Sequence, residues 1–197
     1  MTAVEGGRWQ VTRRSVAWEN RWYRLLHDEV LLPDGSMIDY YLSDRPDIAI
    51  VLAVTDDDQV LLVSQYRHGA GGTTIELPGG TFPPGESPVD AAARELLEET
   101  GYRCATLAPA GTFLDDATRH TNTVHVFAGR GARRVGPPQL DQVEAASGLR
   151  SLLVPIGDLP GMIARGEIRS QISIAAAYHV LGLLAAGGVP PVGCQGQ

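Results

Sequence analysis

With 197 residues, the chain has the length of one domain with a sizeable core. Its 16 Lys and Arg against 23 Asp and Glu leave a formal charge of −7, which argues against a nucleic-acid backbone as partner. Cys104 and Cys194 form no C-x-x-C pair, so neither a zinc site nor a disulfide framework is indicated, and a reducing, cytoplasmic setting is the simplest.

No basic-plus-apolar leader opens the chain, so no signal peptide is expected. Residues 23–32 and 36–42 read as two strands joined by a Pro33-Asp34-Gly35 turn, within an N-terminal β-unit spanning 1–45. Aromatic side chains concentrate there: Trp9, Trp18, Trp22, Tyr40 and Tyr41. Such rings suit either stacking on a base, with Trp22 and Tyr41 the candidates, or ordinary core and interface packing. Arg45-Pro46-Asp47 separates this unit from a second domain over 46–188. Apolar runs at 48–55 and 60–66 flank an Asp56-Asp57-Asp58-Gln59 turn and read as a strand pair.

A Leu77-Pro78-Gly79-Gly80 loop then leads to a helix with readable ends. Ser87 suits the N-cap, Pro88 the first helical position, and Asp90 approaches a capping-box arrangement. Gly101 suits the left-handed residue that ends a helix. At helical spacing Val89, Ala92, Ala93, Leu96 and Thr100 share one side, expected to face the core, while Glu95, Glu98 and Glu99 share the other. Glu95 is an i,i+3 and i,i+4 like-charge neighbour of Glu98 and Glu99, each pair costing about 0.2–0.5 kcal/mol. Arg94 can pair with Glu98 but cannot offset three carboxylates. A divalent cation with oxygen ligands can, and Mg²⁺ suits such a set, with a Gly79 carbonyl able to join it. An isolated E-x-x-E-E is usually a solvated face; here it is embedded in a longer pattern.

Further along, residues 121–128 read as a strand and 158–165 as a short helix. Residues 172–186 are too short and too interrupted, by His179 and Gly182, to span a membrane, and read as a buried helix ending at Gly187-Gly188. The Pro/Gly-rich segment 189–197 reads as a flexible tail.

The pattern Gly80-x5-Glu86-x7-Arg94-Glu95-Leu96-x-Glu98-Glu99-x-Gly101-Tyr102 resembles a complete Nudix box. The resemblance implies an α/β/α sandwich with a mixed sheet, and water attack on the pyrophosphate of a nucleoside diphosphate linked to another moiety. It implies Mg²⁺, or Mn²⁺ in its place. Glu95 and Glu99 would be the principal metal ligands, Glu98 a further ligand or proton acceptor, and Arg94 their orienting partner. Gly80, Glu86 and Gly101 would support the loop and helix, Glu86 with a possible water-mediated reach to the metal.

The flanks, including Val60 to His68 and Ile75 to Gly80, resemble the ADP-ribose pyrophosphatase branch. There an arginine matching Arg67 contacts substrate phosphates, a glutamate matching Glu76 lies in the pocket, and the N-terminal β-unit helps to build a homodimer. Two positions depart from the branch. Its Ser-Pro-Gly-like turn is replaced by Asp115-Asp116-Ala117-Thr118-Arg119-His120, at the loop that would border the terminal sugar. Its late-loop catalytic acid, expected shortly before Val154-Pro155, has Glu144 as nearest in type and Asp141 as the other candidate.

The expectation is therefore hydrolysis of ADP-ribose to AMP and ribose 5-phosphate. The alternatives are another nucleotide sugar or dinucleotide and, in a different class, a non-catalytic ADP-ribose-sensing module.

Overall fold

A computed structural model describes residues 7–188. Cys194 and the expected tail at 189–197 lie outside the described residues. The chain divides into two compact units. One holds the described residues up to Pro46 together with Leu114–Asn122; the other runs Asp47–Phe113 and from Thr123 onward.

The first unit is an antiparallel sheet in the order β1 (Gln10–Glu19), β2 (Arg24–Leu31), β3 (Met37–Asp44). The Pro33-Asp34-Gly35 turn pairs Leu31 with Met37, as the turn residues predict. Strand β2 alternates strictly, burying Leu26, Asp28 and Val30. Buried Asp28 is held by two hydrogen bonds of 2.7 Å from Arg14. Strand β1 had no legible sequence signal, because its residues are almost all exposed and lack a period-2 apolar pattern. Leu114–Asn122, inside the range expected for the second domain, docks here: Ser43 N–H donates to Arg119 O (2.7 Å) and Thr121 N–H to Ser43 O (3.1 Å).

The second unit is built around a seven-stranded mixed sheet. Its elements are β4 (Ile48–Val54), β5 (Gln59–Arg67), β6 (Gly72–Glu76), β7 (Gly79–Thr81), α1 (Pro88–Thr100), β8 (Tyr102–Arg103), β9 (Thr106–Leu114), β10 (Thr123–Arg130), β11 (Arg133–Arg134), α2 (Gln142–Ala146), β12 (Arg150–Pro155), α3 (Leu159–Ala164) and α4 (Gln171–Ala185). The sheet runs β12-β5-β4-β10-β9, with β6 on β5 and β7 on β4; the two-residue β8 and β11 pair separately. Parallel pairing of β10 with β4 makes it mixed.

Strand β4 reads Ile-Ala-Ile-Val-Leu-Ala-Val because both its faces are covered. Ile50, Leu52 and Val54 pack with Leu159 and Met162 of α3 and Ala176, Ala177 and Val180 of α4. Ala49, Val51 and Ala53 pack with Ala91, Ala92 and Leu96 of α1. Period-2 alternation along one strand thus separates two cores, and the α/β/α sandwich follows. No helix among the described residues is long and apolar enough to cross a membrane.

Helix α1 begins and ends where its caps predict. Ser87 Oγ accepts from Asp90 N–H (3.2 Å), and Gly101 adopts φ 76°. Its faces differ from the periodicity reading. Val89 and Ala93 are exposed, whereas Ala91, Glu95 and Glu99 join Ala92, Leu96 and Thr100 on the buried side. The helix is rolled so that small alanines meet the sheet and two glutamates meet β7.

Candidate active site

Strand β7 lays Gly79 and Gly80 against Ile50 and Ala49 of β4. A side chain at Gly79 would overlap the Ala49 carbonyl oxygen, and its φ of 154° suits glycine. A Cβ at Gly80 would lie 2.7 Å from the carboxyl carbon and both oxygens of Glu95. The two glycines therefore form the wall against which the Glu95 and Glu99 carboxylates sit. The contact that Gly79 makes with the cluster is through its amide, which donates to Glu99 Oε2 at 2.8 Å. Gly80→Ala is expected to displace the Glu95 carboxylate and lower kcat/KM by about 10²-fold with the far-UV spectrum unchanged. Wild-type turnover in that variant would show that the wall does not set the carboxylate's position.

Arg94 distributes its guanidinium over three acids. Nε and Nη2 donate to the two oxygens of Glu86 at 2.8 and 3.0 Å; Nη1 donates to Glu95 at 2.7 Å and to Glu98 at 3.1 Å. Glu86 is thereby joined to the start of the carboxylate row.

Glu95, Glu99 and Glu144 each offer a carboxylate oxygen, all within 4.8 Å of one another. Glu98 is not in this trio; its side chain is 38% exposed at the rim, on Arg94. The trio is strained electrostatically. Burial pushes the Glu99 carboxyl up to about 8, with Glu95 and Glu144 adding to the rise and the Gly79 amide and Arg67 opposing it. Burial also raises Glu95, against the hydrogen bond from Arg94. Three crowded, partly desolvated carboxylates are an oxygen donor set that suits a hard divalent cation, so these residues fit one.

Arg67, at the end of β5, meets Glu76, at the end of β6. Nη2 donates to Glu76 Oε2 at 2.6 Å and Nε reaches both oxygens at 3.2 and 3.3 Å. Thr74 Oγ donates to Glu76 Oε1 at 2.8 Å. Nine residues apart in sequence, Arg67 and Glu76 are put on one sheet face by antiparallel pairing of Gln65 with Thr74.

Residues 139–148, read from sequence as a loop, contain helix α2. The signal was present as Asp141-x-x-Glu144, a capping-box spacing. Gln139 N–H donates to Glu98 O at 2.7 Å, which brings this late segment beside α1.

Trp22 and Tyr41 lie in the first unit and are exposed. One face of Trp22 carries the Arg21 guanidinium, 4.5 Å from the ring centroid. Tyr41 stacks on His27 at 4.9 Å.

The chain matches the NUDIX domain family over residues 44–173. It belongs to the Nudix family. Its seven-stranded sandwich is the Nudix fold and the chain is a Nudix pyrophosphohydrolase. It is 32% identical over 165 residues to an ADP-ribose pyrophosphatase of Mycobacterium tuberculosis, covering 80% of this chain and 76% of that one. It is 27% identical over 175 residues to a CMP-5'-(N-acetyl-N-hydroxy-3-aminopropyl)phosphonate hydrolase of Streptomyces rubellomurinus, covering 84% and 83%. A crystal structure of an ADP compounds hydrolase shares its fold, with a TM-score of 0.81 at 17% identity, over 94% of this chain and 99% of that one. Nudix hydrolases generally use divalent metals, and in this Nudix chain the Glu95–Glu99–Glu144 cluster is where such an ion fits.

Proposed function

We propose that this Nudix enzyme hydrolyses the pyrophosphate of an ADP-sugar, foremost ADP-ribose, to AMP and ribose 5-phosphate. The observation that carries the reading is the convergence of three carboxylate oxygens within 4.8 Å, in a unit where Arg67 bears electrostatically on Glu99 and Glu144. Glu95, Glu99 and Glu144, with the Gly79 carbonyl, would hold Mg²⁺ or Mn²⁺. The ion supplies charge neutralisation on the pyrophosphate and a bound water of lowered pKa.

The chain's own residues do the rest. Glu76 grips Arg67 through Nε and Nη2, so the opposite guanidinium edge is offered to phosphate oxygens, where charge accumulates. Arg94 keeps Glu95 and Glu98 oriented. Glu98, which stands outside the trio, accepts the proton of the attacking water. The two roles separate by experiment: a glutamine at the proton acceptor lowers kcat with Mn²⁺ affinity intact, whereas a glutamine at a ligand lowers both.

The decisive test incubates the protein with Mg²⁺ or Mn²⁺ and ADP-ribose, ADP-glucose, GDP-mannose, NADH, diadenosine polyphosphates or a CMP-phosphonate, with products identified by mass. AMP plus ribose 5-phosphate at the highest kcat/KM is expected. Preference for another compound would reassign the substrate, as the replaced turn at 115–120 allows. Binding of ADP-ribose without turnover, unchanged by Glu99→Gln, would favour the sensing role.

Trp22 and Tyr41 remain the candidates for stacking on the base, each through the ring face opposite its Arg21 or His27 contact. Trp22→Ala is then expected to raise KM several-fold with kcat retained, and an unchanged KM would remove it from the site. We also read β1 as the face that meets a second copy. Among the described residues it pairs only with β2, and Trp9, Val11, Val16 and Trp18 are exposed along or beside it. Sedimentation should give twice 21.0 kDa, falling to the single-chain mass in Val16→Glu/Trp18→Ser. A monomeric wild type would overturn this.

A further inference from the structure

Glu144 stands on a helix of five residues, α2, whose other side chains are largely exposed. A helix this short has no stability of its own, yet its glutamate must keep an oxygen within 4.8 Å of two buried carboxylates that repel it. The lead-in and C-terminal ends are tied down by backbone. Gln139 N–H donates to Glu98 O, and Tyr66 N–H donates to Ser147 O at 2.9 Å, linking α2 to the strand that carries Arg67. Leu149 follows, buried, and opens into β12.

At the N-terminal end a side chain does the work. Asp141 Oδ1 accepts from Glu144 N–H at 2.7 Å, and Glu144 Oε2 accepts from Asp141 N–H at 2.8 Å. This reciprocal box commits one oxygen of Glu144 to the backbone and thereby gives its carboxylate a single orientation. The Asp141 carboxylate is itself occupied and stands on an exposed residue.

We infer that Asp141 is a positioning residue whose reciprocal cap aims the Glu144 carboxylate at Glu95 and Glu99, rather than an alternative acid in the reaction. The inference rests on the reading above that these three glutamates hold the metal. It assigns Asp141 a function beyond helix stability: its side chain holds the turn in which its own backbone N–H reaches Glu144 Oε2, and without that half of the box Glu144 turns away from Glu95 and Glu99 toward solvent.

The test titrates Mn²⁺ into the full chain without substrate, read by electron paramagnetic resonance, with Tm and steady-state kinetics alongside. Asp141→Ala is expected to weaken Mn²⁺ binding about 10-fold, the lower end for residues that orient ligands, and to lower kcat in step. Asp141→Asn and Asp141→Ser, which still accept from the Glu144 amide, should restore both. Asp141→Ala combined with Glu144→Gln should be no weaker than Glu144→Gln alone, because a cap has nothing left to aim. The inference fails if Asp141→Ala lowers Tm but leaves Mn²⁺ affinity and kcat at wild type, if the asparagine and serine variants match alanine, or if the double variant is additive. A wild type that binds no Mn²⁺ would instead sink the metal reading itself.

Discussion

Glu99→Gln is expected to lower kcat by roughly 10²–10³-fold, the scale of removing one electrostatic group from a reacting centre, while making the metal-free protein more stable at pH 8. The two effects share one cause. Glu99 is 3% exposed and sits with Glu95 and Glu144, so its charge is costly to the fold and useful only when a cation answers it. Glutamine keeps the volume, still accepts from the Gly79 amide, and turns its NH2 toward two carboxylate acceptors. Stability and activity should therefore move in opposite directions, as at sites held under strain for function. Hydrolysis assays paired with calorimetry in chelator check this. Loss of both together would mean that Glu99 supports the fold and that its role in a metal cluster is misassigned.

In chelator, wild-type stability should fall as pH rises from about 5 to 8.5. The Glu99 carboxyl has its folded value raised to about 8 from an ordinary 4.5. Between those values the folded state keeps a proton that the unfolded chain has lost, so raising the pH favours unfolding. The shift corresponds to something on the order of a few kcal/mol, or a Tm change of roughly 5–15 °C for a chain of this size. Glu95, also raised by burial, acts in the same direction. Saturating Mg²⁺ or Mn²⁺ should flatten the profile, because a ligand bound only by the folded state stabilises it most where the carboxylates are ionised. Subtracting the Glu99→Gln profile from wild type isolates this group from the histidines. Parallel profiles for the two proteins would show that the carboxylate is not buried as placed.

Much of the site was legible in sequence because its signals act over a few residues. Ser87, Pro88 and Gly101 mark the ends of α1 by local backbone chemistry, and the structure places the helix between them. The alternating or continuous apolar runs at 48–55 and 60–66 were enough for two central strands. Residues 139–148 hid a helix although Asp141-x-x-Glu144 spelled its cap, since five residues show no periodicity to support it. Strand β1 was illegible for a related reason: an exposed strand paired on one side has no buried face to impose alternation.

By itself the sequence determined the helix, its row of glutamates and the glycines beside it, because caps, turns and side-chain period are decided by near neighbours. Only the tertiary structure decided which glutamates are buried. The roll of α1 is set by small Ala91 and Ala92 fitting the sheet and by bare backbone at Gly79 and Gly80, not by the helix's own hydrophobic pattern. It also joined Arg67 to Glu76 through a strand register, and separated Glu144 from Asp141 by giving one to the cluster and the other to the cap. These are long-range choices, fixed by how surfaces pack after the chain has folded back on itself.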